Sequence, residues 1–167
     1  MQPYLLVLGL GVAALVQTSL LPPLAVAGVT PDLTLVLVVG WALLRGARSA
    51  ALWALIAGLW LDLLSGGPFG MYTLGLLAAA AVAGLGGGTV FRSHLILPIV
   101  MVVVATLVQG AVQLLLLALV GDGVVLTGSL VRLLLLELVY NSVVTLLVFP
   151  VLAWLSRVTG QERLPLE

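Results

Sequence analysis

One stretch interrupts the apolar sequence and decides where the chain reverses: Asp62-Leu63-Leu64-Ser65-Gly66-Gly67-Pro68-Phe69-Gly70. Glycine readily adopts the left-handed conformation that follows a last helical turn, and proline cannot continue a helix. Gly66 is placed for the first role and Pro68 for the second. The stretch therefore predicts that one hydrophobic helix ends here and that another begins soon afterwards.

Asp62 is the unusual residue of this stretch, because it belongs to the last turn of the predicted helix. A carboxylate is disfavoured there by the helix dipole, so a partner is expected to hold it. The alternatives are the free amides that open the next helix, a basic side chain, or a partner protein, unless Asp62 is simply a surface acid in a loop. Arg132, predicted near the same membrane face, is the first candidate for a basic partner.

The composition assigns the chain to the membrane. Of its 167 residues, 63% are hydrophobic and 7% are charged, whereas soluble domains carry about 25% charged residues. The net charge is zero, without a basic cluster, so nothing favours nucleic acid as a partner. The chain contains no cysteine, which excludes disulfides and thiolate metal sites. We expect a single transmembrane domain in contact with membrane lipid.

The apolar runs are longer than the 9 to 11 residues of a membrane barrel strand, so they predict helices. The sequence favours an all-α polytopic membrane protein, a compact bundle of six transmembrane helices followed by a short polar tail at 156–167. The second and third spans are short, which requires either that their arginines snorkel or that the bilayer thins locally. The predicted spans are about 4–21, 29–44, 49–64, 71–90, 95–120 and 130–155.

The basic residues predict the orientation. In the six-span topology, only Arg132 lies on one side of the membrane. The positive-inside rule then places both termini in the cytoplasm and the Asp62 to Gly70 loop outside. The basic residues on the cytoplasmic side are Arg45, Arg48, Arg92, Arg157 and Arg163.

Polar side chains inside the membrane are costly and need partners. Gln109 and Gln113 lie four residues apart on the fifth span, as do Glu137 and Asn141 on the sixth. A hairpin turning near residue 125 would bring Gln113 level with Glu137 and Gln109 level with Asn141. With Arg132, these residues form a candidate intramembrane network. It is interpreted either as interhelical hydrogen bonds worth about 0.6 kcal/mol each or as a transport site.

Small residues follow one another at intervals of four on the fourth span: Gly75, Ala79, Ala83 and Gly87. This spacing lets helix backbones approach closely, so it predicts a helix-packing face. We find no motif for catalysis, a metal or a cofactor. The acidic couple of Asp62 and Glu137 is predicted to lie at two different depths, and the chain's one histidine, His94, has no acid close in sequence.

Four segments together resemble the MreD family of bacterial rod shape-determining membrane proteins. They are Gln17, Pro31-Asp32-Leu33, Ala42-Leu43-Leu44-Arg45-Gly46, and Gly58-Leu59-Trp60-Leu61 running into the Asp62 to Gly70 stretch. The resemblance is specific in the first half of the chain and rests mainly on span number and length in the second half. The candidate partner-binding or structural motif comprises Asp62, Ser65, Gly66, Gly67, Pro68, Gly70, Pro31 and Asp32.

The resemblance implies a non-enzymatic subunit of the cell-elongation machinery in the bacterial inner membrane. It implies direct binding to MreC and, through MreC, association with MreB, RodA and the penicillin-binding peptidoglycan synthases. It also implies a fold similar to the six-helix substrate-binding subunits of energy-coupling-factor transporters. The alternative function is therefore a vitamin-binding transporter subunit, although the outer loops offer few groups to bind a polar ligand.

Overall fold

Six α-helices make up most of the part of the chain that the structure describes. The computed structural model describes residues 3–25, 28–86, 96–120 and 128–158. A π-helical turn, Val16–Leu20, continues the first helix, and a short 3-10 turn, Pro22–Leu24, follows it. The helices are α1 (Pro3–Leu15), α2 (Leu33–Arg45), α3 (Ala47–Ser65), α4 (Met71–Leu85), α5 (Ile96–Val120) and α6 (Gly128–Val158).

The helices differ markedly in length. By length and composition, α3, α5 and α6 can each cross a membrane, whereas α1 with its π-helical turn, α2 and α4 are shorter apolar helices. At 1.5 Å per residue, the 13 residues of α2 span about 20 Å and the 31 residues of α6 about 46 Å. The prediction of an all-α membrane bundle is confirmed, and its helices are unequal.

Helix α2 lies at the centre of the bundle. It packs against α3, α4, α5 and α6, and every residue from Thr34 to Leu43 except Leu37 is buried. A helix that is apolar on all sides is expected in such a position. It begins at Leu33, later than the predicted start at Val29, because Asp32 caps its first turn by accepting a hydrogen bond from the Leu35 amide.

Helices α3 and α4 form a hairpin with very close contacts at both ends. A Cβ at Gly58 would collide with the backbone of Thr73, and it would lie 2.8 Å from Thr73 Oγ1. At the other end, a Cβ at Gly84 would lie 2.7 Å from Ala47 Cα. Glycine therefore sets the separation of these two helices.

The predicted small-residue face of α4 is buried where the structure describes it. Ala79 and Ala83 have no exposed surface and belong to the apolar core. Gly75 faces α5, because a Cβ there would lie 3.0 Å from Gln109 Cγ. Gly87 lies outside the described residues.

The loop between α3 and α4 has the predicted turn chemistry. Helix α3 ends at Ser65, and Gly66 follows in the left-handed conformation with φ 68°. Gly70, which directly precedes α4, is also left-handed with φ 94°. Two positions of positive φ thus reverse the chain within five residues, 66 to 70.

An aromatic cluster holds the opposite end of α2. Trp41 stacks on Trp53 of α3 with ring centroids 4.2 Å apart, and its Nε1 donates to Ser49 Oγ at 2.8 Å. The Arg45 guanidinium lies 5.5 Å from the centre of the Trp41 ring and donates to the Ser156 carbonyl at 2.7 Å. The α2–α3 connection and the end of α6 therefore lie at the same end of the bundle.

Candidate functional site

The most polar part of the described interior is a cluster that surrounds Asp32. It joins the π-helical turn, the start of α2, and the middle of α5 and α6. We call it the Asp32 cluster, and its members are Gln17, Asp32, Thr34, Thr106, Gln109 and Asn141.

The Asp32 carboxylate is the centre of this cluster. It is 6% exposed. Its Oδ1 accepts from the Leu35 amide at 2.9 Å, from Thr34 Oγ1 at 2.8 Å and from Gln17 Nε2 at 3.0 Å. Its Oδ2 accepts from Gln109 Nε2 at 2.6 Å. All four neighbours are donors, and the first turn of α2 adds its favourable dipole, so this arrangement suits a buried carboxylate.

Gln17 joins α1 to the start of α2 through both ends of its amide. Its Nε2 donates to Asp32, and its Oε1 accepts from the Thr34 backbone N–H at 2.9 Å. The Thr34 N–H belongs to the first turn of α2, where no backbone acceptor is available within the helix. Gln17 lies in the π-helical turn, a distortion that is frequent where a helix must aim a side chain at a site.

Asn141 connects α6 to both α2 and α5. Its Oδ1 accepts from the Asp32 backbone N–H at 2.7 Å, and its Nδ2 donates to Thr106 Oγ1 at 3.1 Å. The Thr106 hydroxyl in turn donates to the Val102 carbonyl at 2.9 Å. Asn141 has no exposed surface, so it is a fully buried link between three helices.

The predicted register of the α5–α6 hairpin is wrong. Asn141 bonds to Thr106 and to Asp32, whereas Gln109 was expected to be its partner. A Cβ at Gly110 would lie 3.8 Å from Leu134 Cδ1, which again pairs α5 with an earlier part of α6 than expected. The physical reason is that Asp32 accepts from Gln109 and donates to Asn141, so the two amides do not meet each other.

The other predicted members of the intramembrane network lie outside the cluster. Gln113 and Glu137 are partly buried and do not hydrogen-bond to each other. Arg132 is exposed and forms no part of the network, contrary to expectation. Gln109 is 3% exposed, and its Oε1 has no hydrogen-bond partner in the described structure.

Asp62 caps α4 by accepting hydrogen bonds from its first turn. The free amides of the next helix were one of the three partners expected for this residue. Its Oδ1 accepts from the Tyr72 amide at 2.9 Å, and its Oδ2 accepts from the Thr73 amide at 3.2 Å and from Thr73 Oγ1 at 2.5 Å. The side chain is 4% exposed. The expected pairing with Arg132 is wrong, because α4 supplies all of the donors that the structure shows.

The loop that follows Asp62 is accessible, unlike Asp62 itself. Ser65, Gly66, Gly67 and Pro68 are exposed, and Phe69 is 69% exposed. Gly70 and Pro31 are partly buried. The predicted motif therefore divides into two buried acids that cap helices and one exposed loop.

Sequence reasoning missed two members of the Asp32 cluster, Thr34 and Thr106. Thr34 has a recognisable signal, since an aspartate followed two residues later by threonine at a helix start is typical of an N-terminal cap. Thr106 has none, because a threonine in an apolar helix usually bonds to its own backbone. In the described part of the chain, no three histidine, aspartate or glutamate side chains lie together as a metal site.

A comparison with protein families matches residues 1–158 to the model of the rod shape-determining protein MreD. The chain belongs to the MreD family. The predicted resemblance is thereby confirmed, and it extends through the second half, where the sequence motifs were weakest. No curated protein and no solved structure matches the chain.

Membership of the MreD family assigns this membrane protein a role in rod shape determination. The likeness to the substrate-binding subunits of energy-coupling-factor transporters stays a prediction, and none of the comparisons supports the transporter function. Three polar residues of the segments that carry the resemblance have a physical role in this structure: Gln17, Asp32 and Asp62 all satisfy free amides at helix starts.

Proposed function

We propose that this MreD family protein is a non-enzymatic scaffold or regulatory subunit of the bacterial cell-elongation complex. It binds MreC directly, and through MreC it associates with MreB, RodA and the penicillin-binding transpeptidase. In this role it helps to control peptidoglycan synthesis and cell shape. The observation that carries the proposal is the family match over residues 1–158.

The chemistry of the interior favours a scaffold. Asp32 and Asp62 are buried, and each already accepts several hydrogen bonds from helix-start donors. Residues used in this way hold helices together, and neither carboxylate is free to act on a substrate. We therefore assign the function to surfaces of the bundle.

We propose that the protein lies in the inner membrane with both termini in the cytoplasm. The contact between Arg45 and Ser156 supports this orientation, because it brings the α2–α3 connection and the end of α6 to the same end of the bundle. Arg48 and Arg157 are at that end too. Basic residues thus gather on one side, as cytoplasmic loops require.

Cysteine labelling tests this orientation, because the chain has no native cysteine. Single cysteines replace Arg48 and Ser65, both of which are exposed. An impermeant thiol reagent added to intact spheroplasts should label Ser65→Cys but not Arg48→Cys. The reverse pattern would invert the topology.

The exposed loop 65–69 is our candidate surface for MreC. Phe69 is 69% exposed although it is a large aromatic side chain, and aromatic residues often anchor protein interfaces. Two glycines, Gly66 and Gly70, adopt the left-handed conformation that turns the chain at either end of the loop. The ring of Pro68 fixes its φ and so lowers the conformational entropy that the loop loses when a partner binds.

The test is recovery of MreC with the tagged protein from membranes in mild detergent. We expect Phe69→Ala and Pro68→Ala to lower recovery several-fold at equal expression. Leu74→Ala is the matched control, since Leu74 is 49% exposed on α4 outside the loop. Unchanged recovery with both loop variants would exclude the loop, and absence of MreC from the wild-type preparation would contradict the proposed function.

A further inference from the structure

The outer halves of α5 and α6 extend past the start of α2. Asn141 bonds to the residue that precedes α2, so the part of α6 before Asn141 continues past the start of that helix. We call residues 110–120 and 131–140 the α5–α6 arm. Each helix contributes at least ten residues to the arm, and ten helical residues span about 15 Å. None of the residues of the arm is buried.

Where the arm joins the bundle, two hydrogen-bond acceptors have no donor among the described residues. Gln109 Oε1 is buried and has no partner, and the structure shows no hydrogen bond to Glu137. Gln109 and Glu137 lie on the sides of α5 and α6 that face each other. Glu137 lies between Leu134, which meets α5 at Gly110, and Asn141, which meets α5 at Thr106.

Glu137 differs from the other acids of the described bundle in lacking donors. Asp32, Asp62 and Glu137 are the three acidic side chains among the described residues. The two aspartates are compensated by helix-start amides. Glu137 has no such compensation, and the exposed Arg132 forms no ion pair with it among the described residues.

A donor that carries a positive charge would satisfy Glu137. A guanidinium group has five N–H donors and no acceptor, and an ammonium group has three donors. Because Glu137 is only partly buried, such a group can reach it from the side of the arm. A lone cation in hydrocarbon is costly. The charge is therefore expected on a side chain of an apolar helix that packs along the arm.

We propose that the α5–α6 arm receives one transmembrane helix of a partner protein, and that an arginine or lysine of that helix donates to Glu137. The inference goes beyond the proposed function. It does not require the partner to be MreC, and the arm is separate from the loop 65–69.

In-cell photocrosslinking with the full-length protein tests this inference. Benzoylphenylalanine replaces Gln113, which is partly buried on the arm, and in the control it replaces Leu115, which is 60% exposed on the same helix. The expected result is an adduct at Gln113 but not at Leu115. Mass spectrometry should identify the attached peptide as part of one transmembrane helix that contains arginine or lysine.

Charge variants then test the role of Glu137. Glu137→Gln should lower the adduct by roughly tenfold or more, since it removes one partner of a buried charge pair, whereas Glu137→Asp should retain most of it. Glu137→Arg combined with a glutamate at the partner's basic position should restore the adduct. The SDS concentration that unfolds each variant, measured by tryptophan fluorescence, shows that the bundle remains intact.

Several results would overturn the inference: an adduct with lipid only, an adduct with a second copy of this chain, a partner helix without a basic residue, or an adduct unaffected by Glu137→Gln. Failure here is distinguishable from failure of the proposed function. If MreC is still recovered through the loop 65–69, the scaffold role stands and only the arm's assignment is lost.

Discussion

Replacement of Asp32 by alanine should be among the most damaging single changes in the bundle. Alanine removes the acceptor for four donors: the Leu35 amide, Thr34 Oγ1, Gln17 Nε2 and Gln109 Nε2. Loss of an N-terminal cap costs about 1 kcal/mol and at most about 2. Each interhelical hydrogen bond in a membrane protein adds about 0.6 kcal/mol and at most about 1.7. We therefore expect a loss of about 2 to 4 kcal/mol in the free energy of unfolding.

Asparagine is the informative comparison at the same position. In Asp32→Asn, the amide oxygen keeps the contacts with Gln17, Thr34 and Leu35, and the new NH2 group faces Gln109. Gln109 has an unpartnered Oε1, so a half-turn of its amide restores a hydrogen bond between the two side chains. The remaining loss is the interaction of a full charge with the helix dipole, about 1 kcal/mol or less.

The assay is unfolding of the purified protein by SDS, followed by the fluorescence of its four tryptophans. The stacked pair of Trp41 and Trp53 lies in the core, so its signal reports on tertiary packing. The expected order of stability is wild type, then Asp32→Asn, then Asp32→Ala. If Asp32→Asn were as unstable as Asp32→Ala, the proposed turn of the Gln109 amide would be refuted. If Asp32→Ala were as stable as wild type, the cluster would not hold the bundle together.

Three further substitutions probe other contacts in the same assay. Gly58→Ala should cost about 1 to 3 kcal/mol or more, because its Cβ meets the Thr73 backbone, which cannot rotate away; a wild-type unfolding midpoint would argue against the close α3–α4 contact. Gly75→Ala should cost about 1 to 3 kcal/mol, since its Cβ would lie 3.0 Å from Gln109 Cγ, and its effect should shrink in a Gln109→Ala background; an equal effect in both backgrounds would show that the clash lies elsewhere. Asp62→Ala should cost about 1 to 2 kcal/mol by removing the α4 cap, and it should add to Asp32→Ala within about 0.5 kcal/mol because the two acids share no partner.

The secondary structure was accessible from the sequence because its causes are local. Long apolar runs set the helices, and the Gly66 to Pro68 segment placed the end of α3, where Gly66 indeed adopts φ 68°. The start of α2 was missed although its signal was also local. Asp32 followed by Thr34 is an N-terminal cap, and it begins the helix at Leu33.

The arrangement of the cluster was not accessible, because it depends on which helices are neighbours. Asp32 and Asn141 are separated by 109 positions in sequence, and no periodicity within one helix shows that they meet. The predicted pairing of Gln109 with Asn141 rested only on their expected depth in the membrane. The actual register follows from Asp32, which lies between α5 and α6 and engages one amide from each.

The two buried acids divide the most distinctive motif of this sequence into a part that caps helices and an exposed loop that a partner can reach. Asp32 and Asp62 are 6% and 4% exposed, and both are occupied by the first turns of α2 and α4. Short helices expose their free end amides inside the membrane, where water cannot satisfy them, and in α2 and α4 an acid supplies the missing acceptor. The motif therefore follows from the short helices themselves. Our two proposals assign partner recognition to surfaces outside these caps, the loop that carries Phe69 and the arm that carries Glu137.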